Sequence, residues 1–248
     1  MLLLSPSWKR EGICTSHLYF PSLKYVVCQS QSKKYLDNNL PVIVCPDSAQ
    51  GNVSRVRNWI LDHAGKSDVC IVDDDLKNMG RWNGNVHSKM SSDEAEEFIE
   101  YGFMMARQFD VKMWGVNIIQ DKGAFREYTP FSMSNVILGP FGGFLNPECR
   151  YDEKLPLKED YDLSLQMLDK YRKILRFNHV HYVCEQHTNL GGCAEYRTID
   201  SEKAQFIDLE KKWGTKIVRR DTGESNTERK RQVSYDINPI IKIPIGGI

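Results

Sequence analysis

The chain of 248 residues contains 33 lysine and arginine residues and 33 aspartate and glutamate residues, so its formal net charge is zero. Apolar residues make up 41% and charged residues 27%, a globular composition that excludes an intrinsically disordered chain. No apolar run approaches the ~20 residues of a membrane span, and the opening segment 1–4 is too short for a signal peptide. We therefore expect a soluble, cytoplasmic protein with no membrane partner, and the balanced charge argues against bulk electrostatic binding of polyanions.

The seven cysteines are an odd number and include no Cys-x-x-Cys pair. Three lie in apolar, strand-like runs, where a reduced thiol packs as a small hydrophobic group: Cys28, Cys45 and Cys70. This usage predicts a reducing compartment. Cys184, His187 and Cys193 lie close together in sequence and offer three zinc ligands, but their spacing is not a common zinc-binding pattern.

Short apolar runs alternate with helical patterns over the first 120 residues. Runs rich in β-branched residues predict buried strands at 2–4, 25–28, 42–45 and 69–72, followed by strands at 114–119 and 136–138. Apolar residues at helical spacing predict helices over 52–64, 92–109 and 161–176, and Ser91 and Glu94 have capping-box spacing. The alternation predicts an α/β sandwich with right-handed crossovers.

No internal repeat is present, and a single mixed α/β domain is predicted over residues 1–220. After Asp221 the sequence becomes polar and basic. Residues 221–248 are therefore predicted to form a polar and basic C-terminal tail that is partly mobile.

The strongest local signal is Asp73-Asp74-Asp75, directly after the apolar run 69–72. Ligands of open α/β folds bind at the carboxyl ends of the strands. Because side chains alternate along a strand, Asp73 and Asp75 are predicted to point to the same side, where they would suit a divalent ion that also contacts substrate phosphates. An exposed acidic turn is the structural alternative. A phosphohydrolase is disfavoured, because Leu76 and Lys77 replace the Gly-Thr that follows its nucleophilic aspartate.

A second acidic group, Glu159-Asp160-Tyr161-Asp162, opens the third predicted helix. Near a helix N-terminus, free N–H groups and the helix dipole favour an ionised carboxylate. Asp160 or Asp162 is therefore either a helix cap or a general base that removes a proton from an acceptor hydroxyl. Upstream, Gly142 and Gly143 offer positions where the backbone can approach a ligand closely.

The order of these three motifs resembles the GT-A class of glycosyltransferases over most of residues 1–190. The resemblance implies a GT-A-like, Rossmann-type αβα sandwich with a mostly parallel central sheet. It implies that Asp73 and Asp75 hold Mn²⁺ or Mg²⁺ on the diphosphate of a nucleotide sugar, most simply a UDP-sugar. His187 matches a late histidine that completes the metal site in many members. The implied catalytic residues are Asp160, with Asp162 as second choice, and the adjacent Glu159.

The same resemblance implies which residues contact the nucleotide sugar. Arg10 lies in the loop after the first strand, and the stretch 51–58 resembles a stretch of the class that runs from a glycine to Arg-Asn, with Arg57 at the matching position. The full set of implied contacts is Ser5, Arg10, Arg57, Asp73, Asp74, Gly142 and Gly143.

At finer detail, five segments resemble the TET-associated glycosyltransferase family of bacteriophages: 5–10, 73–75, 141–144, 158–166 and Lys212-Trp213-Gly214. This resemblance implies sugar transfer to the hydroxymethyl group of 5-hydroxymethylcytosine or 5-hydroxymethyluracil in DNA. For a phage-encoded protein it implies the cytoplasm of the host cell.

Two segments are candidates for contact with such an acceptor. Basic residues that include Lys216 and Arg219 cluster in the last 40 residues, and a mobile basic segment can neutralise DNA phosphates. The segment 82–87 is predicted to be a Gly/Asn-rich loop in which Trp82 covers the sugar or stacks on an extruded base. An ordinary solvated tail and a simple loop anchor are the alternatives.

Other functions stay open at this point. A GT-A glycosyltransferase could act on a protein or a saccharide, in which case the basic residues are incidental. A non-catalytic nucleotide-sugar-binding domain would keep the fold without turnover. A nucleotidyltransferase uses a similar fold and metal strand, but it releases pyrophosphate.

Overall fold

A computed structural model of the chain describes residues 1–184, 192–220 and 237–243. The helices are α1 (Ser16–Tyr19), α2 (Gln29–Asp37), α3 (Val53–Ala64), α4 (Ser92–Gln108), α5 (Glu159–Tyr171) and α6 (Ile199–Trp213). The strands are β1 (Leu2–Pro6), β2 (Lys24–Cys28), β3 (Val42–Cys45), β4 (Val69–Ile71), β5 (Leu76–Asn83), β6 (Val86–Lys89), β7 (Met113–Asn117), β8 (Phe131–Ser132), β9 (Gly142–Phe144), β10 (Leu175–Cys184), β11 (Val218–Arg219) and β12 (Ile240–Ile241).

One large sheet runs through the described part of the chain in the order β3-β2-β1-β4-β9-β7-β10-β5-β6, with β8 paired to β10. The strands β3, β2, β1 and β4 pair in parallel, as do β7 and β10. Strand β9 enters antiparallel between β4 and β7. The predicted α/β fold with a mostly parallel central sheet is therefore confirmed.

Side chains of the central strands alternate between two apolar layers. In β2, Tyr25 and Val27 face one layer, while Val26 and Cys28 face the other. The first layer is covered by α4, and the second by α3 and α5. Because both faces of the sheet are buried, its strands are nearly continuous apolar runs, which is the pattern that predicted them.

The first two predicted helices are confirmed, and the third differs at both ends. Helix α3 begins after Asn52, whose side chain caps it, and α4 begins with the predicted capping box at Ser91. Helix α5 ends at Tyr171, because Arg172 takes a left-handed φ of 66°. The apolar residues that follow lead into strand β10, so their helical spacing was misleading.

The strand predicted at 136–138 is wrong, because this segment is irregular. The N–H of Ile137 donates to the hydroxyl oxygen of Ser164, and that hydroxyl donates to the Ile137 carbonyl. A side chain of α5 thus satisfies the backbone groups that a neighbouring strand would otherwise bind.

The predicted loop at 82–87 is the end of an antiparallel hairpin. Strand β5 starts directly after the acidic motif, and Trp82 pairs with His87 across the hairpin. Gly84 has a φ of 57°, the left-handed conformation that tight hairpin turns require. The glycine and asparagines that predicted a loop therefore form a turn, and β5 carries Trp82 about 20 Å along the strand from Asp75.

Part of the predicted tail packs on the domain. Strand β12 pairs with β11, and Ile241 and Ile243 lie against an apolar cluster that includes Phe206, Leu209 and Val218. The other tail residues, 221–236 and 244–248, lie outside the described residues. In the described ranges, no helix has the length and apolar character needed to cross a bilayer.

Candidate active site

A cleft of about 430 Å³ opens where β1, β4 and β10 end. Its walls come from the loop after β1, the start of α3, the acidic motif after β4, the first turn of α5 and the segment after β10. Both acidic motifs found in the sequence reach it. Among the described residues that line it, six are acidic and three are arginines: Asp73, Asp74, Asp75, Glu159, Asp160 and Glu195, with Arg10, Arg57 and Arg197.

Arg57 joins the two acidic motifs. Its side chain is only 5% exposed, and its Nη1 donates to Oε1 of Glu159 at 2.9 Å while Nη2 donates to Oδ1 of Asp73 at 3.1 Å. The ring of Tyr151 lies 5.6 Å from the guanidinium carbon. A single residue of α3 thus brings together a carboxylate that follows β4 and one that begins α5, and Arg57 also lines the cleft.

Arg10 pairs with the other two carboxylates of the acidic motif. Its Nη1 lies 2.7 Å from Oδ1 of Asp74 and 3.3 Å from Oδ2 of Asp75. Asp74 is buried and also accepts a hydrogen bond from the hydroxyl of Ser7, which in turn contacts Tyr35. Asp74 therefore fastens the loop after β1 to the end of β4, in addition to lining the cleft.

The carboxylates of the cleft are crowded and partly removed from water. Burial raises the pKa of Asp75 to about 7, and the charges of Asp73 and Asp74 act in the same direction while Arg10 opposes them. Burial also raises the pKa of Glu159 to about 8, with the charge of Asp160 adding to it and Arg57 opposing it. Such a site favours binding of cations, because an added positive charge stabilises the ionised carboxylates.

The acidic motif fits a divalent ion. Asp73 and Asp75 both line the cleft, as expected for the predicted metal-binding pair. No group of three or more His, Cys, Asp or Glu side chains in residues 1–184, 192–220 and 237–243 forms a complete metal site. Mg²⁺ is commonly held by one or two carboxylates together with substrate phosphates, so two carboxylates suffice in a site of that kind. His187, the predicted third ligand, lies outside the described residues.

Asp160 faces the cleft from the first turn of α5. Its Oδ2 accepts the N–H of Gly139 at 2.8 Å, and its Oδ1 accepts the N–H of Tyr161 at 2.8 Å. An ionised carboxylate has about four lone-pair positions, so these two bonds leave capacity for a substrate hydroxyl. The geometry is that of an anchored carboxylate with free acceptor positions.

Asp162 does not line the cleft. It is fully buried and accepts hydrogen bonds from Nζ of Lys212, Nε1 of Trp213 and Nε2 of Gln166. The second-choice base is therefore a carboxylate that fastens α6 to α5. The Lys212-Trp213-Gly214 segment, which the sequence offered as a separate motif, supplies the partners of Asp162.

Three of the residues predicted to contact the nucleotide sugar do not line the cleft. Gly142 and Gly143 lie within β9, and a Cβ added to Gly143 would overlap the indole of Trp114. These glycines therefore serve packing of the sheet, and Gly139 lines the cleft instead. Ser5 is buried in β1, and its hydroxyl has no hydrogen-bond partner among the described residues.

The segment after β10 forms a wall of the cleft that the sequence did not predict. It contributes Gly192, Cys193, Glu195, Tyr196 and Arg197. Glu195 accepts hydrogen bonds from Trp8 and Lys9, and the hydroxyl of Tyr196 lies 3.0 Å from Sγ of Cys193. Cys184 and Cys193 both reach the cleft, but the His187 of the possible zinc set lies outside the described residues.

The three residues predicted to contact the acceptor lie away from the cleft lining. Trp82 donates its indole N–H to the carbonyl of Gln120. Lys216 lies in the turn before β11 and Arg219 within β11, and both are exposed. Their contact with an acceptor stays a prediction.

The bridge made by Arg57 predicts a large loss of stability when it is removed. Arg57→Met would leave Glu159 and Asp73 without their cation, and breaking a buried ion pair costs about 3–5 kcal/mol. We expect a decrease of about 3 kcal/mol in the free energy of unfolding, measured by urea denaturation.

Arg55→Met is the matched control on the same helix. The ion pair of Arg55 with Glu153 has 47% exposure on each side, so its loss should cost less than about 1 kcal/mol. Equal losses for the two variants would contradict the bridging role of Arg57.

Comparison with known proteins identifies the family of the chain. The sequence model of the TAGT family, described as TET-Associated Glycosyltransferase, matches residues 11–192. Among curated proteins, none matches the chain in sequence.

Solved glycosyltransferase structures share its fold. One is glucosyl-3-phosphoglycerate synthase from Mycobacterium tuberculosis in complex with Mn²⁺, UDP-glucose and glycerol 3-phosphate. Its TM-score with this chain is 0.50 at 8% sequence identity, and the match covers 90% of this chain and 84% of the synthase. The structure of the same enzyme with Mn²⁺, UDP and phosphoglyceric acid has a TM-score of 0.50 at 9% sequence identity, and the match covers 90% of this chain and 83% of the enzyme. The family match covers most of the chain, which therefore belongs to the TET-associated glycosyltransferases and has the GT-A fold.

Proposed function

We propose that this glycosyltransferase moves a sugar from a nucleotide-sugar donor to the hydroxymethyl group of a modified pyrimidine in DNA. The observation that carries the reaction is the single cleft shared by Asp73, Asp75 and Asp160, with Arg57 between the two motifs. Membership of the family supports the acceptor, because the family resemblance of the sequence motifs implies transfer to 5-hydroxymethylcytosine or 5-hydroxymethyluracil.

Charge in the cleft supports a metal-dependent donor site. With six acidic and three basic side chains among its described lining residues, the cleft needs added positive charge to accept a diphosphate. Mn²⁺ or Mg²⁺ held by Asp73 and Asp75 would supply it and stabilise the charge that develops on the leaving nucleoside diphosphate. The Mycobacterium tuberculosis synthase was crystallised with Mn²⁺ and UDP-glucose, which supports a UDP-sugar as the donor.

Arg197 is the protein cation best placed to contact the diphosphate. Arg10 and Arg57 are already paired with the acidic motif. In the described part of the chain, the ion pair of Arg197 joins its Nε to Glu202 at 3.1 Å, which leaves the terminal nitrogens able to bind phosphate oxygens.

Asp160 is the proposed base. It removes the proton of the acceptor hydroxymethyl group while that oxygen bonds to the anomeric carbon, and the bond from this carbon to the diphosphate oxygen breaks. Backbone N–H groups of Gly139 and Tyr161 hold the carboxylate in place. A single displacement of this kind inverts the anomeric configuration.

Asp160→Asn tests this role. The amide keeps the size of the side chain but cannot accept the proton, so we expect the rate of transfer to fall by about 10²–10⁴-fold. Affinity for UDP, measured by titration calorimetry, should not change. Asp162→Asn is the matched control two residues later, and it should lower the melting temperature while the folded protein keeps its rate. The reverse pattern would make Asp162 the base.

Chelation and Asp75→Asn test the metal. EDTA should abolish transfer, and Mn²⁺ or Mg²⁺ should restore it. Asp75→Asn should remove the Mn²⁺-dependent part of UDP binding without loss of stability, because burial already disfavours the ionised form of this carboxyl. Glu195→Gln, which changes an exposed cleft carboxylate outside the motif, is the control. Manganese-independent binding in the wild-type protein would exclude a metal-dependent donor site.

The acceptor is tested by incubating the protein with Mn²⁺, a panel of nucleotide sugars and duplex DNA that contains 5-hydroxymethylcytosine, 5-hydroxymethyluracil or unmodified pyrimidines. After digestion, mass spectrometry of the nucleosides should show a mass gain of one sugar on a hydroxymethylated base only. Transfer to a peptide or glycan but not to DNA would replace the proposed acceptor. Release of pyrophosphate would indicate a nucleotidyltransferase, and binding without turnover would indicate a non-catalytic domain.

A further inference from the structure

Gly139 forms an unusual turn at the wall of the cleft. Its φ is +75°, in the left-handed region, and its N–H donates to Oδ2 of Asp160 at 2.8 Å. A Cβ added to Gly139 would overlap Oη of Tyr182. The hydroxyl of Tyr182 therefore fills the space in which any other residue would place its side chain.

The side chain of Tyr182 is buried, and its hydroxyl forms no hydrogen bond in the described part of the chain. The residue is 3% exposed. Its position is fixed by pairing with Met79 in the neighbouring strand and by stacking on Phe141, with ring centroids 6.3 Å apart at 16°. Burial without a hydrogen bond is unfavourable for a hydroxyl, yet Tyr182 keeps its oxygen here, against Gly139.

The bond from Gly139 is the long-range anchor of Asp160. The second hydrogen bond to Asp160 in the described part of the chain comes from the N–H of Tyr161, the next residue of the same helix, and it moves together with α5. Among the described residues, Gly139 is thus the group outside α5 that donates a hydrogen bond to this carboxylate.

We propose that Gly139 and Tyr182 are positioning residues for the base. Tyr182 fills the space over Gly139 and keeps the turn in its left-handed conformation, so that the Gly139 N–H holds the carboxylate of Asp160 towards the acceptor. Neither residue touches the reacting atoms. The inference rests on the proposed function, in which Asp160 is the base.

Three variants test the pair: Gly139→Ala, Tyr182→Phe and the double variant. Gly139→Ala forces the turn away from Tyr182, and a displacement of about 1 Å at a reacting group can cost about 10²-fold in rate. We expect kcat to fall by that order, with KM for the donor and affinity for UDP unchanged. In the double variant the overlapping oxygen is absent, and the ring carbon Cζ at 3.3 Å and Ile118 at 3.4 Å become the nearest neighbours. Because Ala at position 139 must still adopt a φ of +75°, which is strained for any side chain, the kcat of the double variant should recover only in part, to a value between those of Gly139→Ala and Tyr182→Phe.

A double variant with the same kcat as Gly139→Ala would overturn the inference, as would a loss of donor affinity parallel to the loss of kcat. Action through Asp160 is tested in the Asp160→Asn background, where Gly139→Ala should cause no further decrease. An additional decrease of the same size would show that Gly139 does not act through this carboxylate. If Gly139→Ala alone does not fold, the inference is tested on the double variant. A folded double variant that lacks activity would overturn the inference.

Hydrolysis of the nucleotide sugar separates this inference from the proposed acceptor. In hydrolysis, water bonds to the anomeric carbon, its proton passes to Asp160 and the nucleoside diphosphate leaves. A wild-type protein that hydrolyses the donor but does not modify hydroxymethylated DNA would contradict the acceptor, and the same variants can still be compared. A rate of hydrolysis that is lower in Asp160→Asn but unchanged in Gly139→Ala would overturn the positioning role of Gly139 alone.

Discussion

The buried guanidinium of Arg57 is the contact on which the arrangement of the cleft depends. It lies between Asp73, which follows β4, and Glu159, which begins α5, and it reduces the repulsion between two acidic motifs that the fold places on one cleft. Burial raises the pKa of Glu159 even with this cation present. The planar guanidinium can donate to two carboxylates at once, whereas the single ammonium group of lysine does not provide this fork.

Neighbouring acidic residues have different surroundings, and local geometry explains why. In the motif after β4, Asp73 pairs with Arg57 while Asp74 and Asp75 pair with Arg10, and Asp74 also accepts a hydrogen bond from Ser7. In α5, two residues correspond to about 200° of rotation, which directs Asp160 to the cleft and Asp162 to α6. The zero net charge of the chain therefore says little about its partners, because acidic and basic groups are distributed unevenly over the fold.

Sequence patterns predicted the parts of this protein whose structure depends on local burial. Strands buried on both faces are continuous apolar runs, and the capping box of α4 involves residues three positions apart. The same patterns failed at 136–138, where an apolar run bonds to Ser164 instead of a strand, and at the end of α5, where the apolar spacing continues into β10. Turn residues at 82–87 indicated a loop where the structure has a hairpin.

By itself, the sequence determined the α/β fold, the acidic motif at the end of β4 and the acidic start of α5, because these follow from burial and spacing over a few residues. Only the tertiary structure decided which of the acidic residues at the start of α5 faces the cleft, and which residues hold it. Arg57 with Glu159, Trp213 with Asp162 and Tyr182 with Gly139 are pairs of residues far apart in the chain. Such contacts depend on how helices and strands pack against one another, and this packing leaves no periodic signal in the sequence.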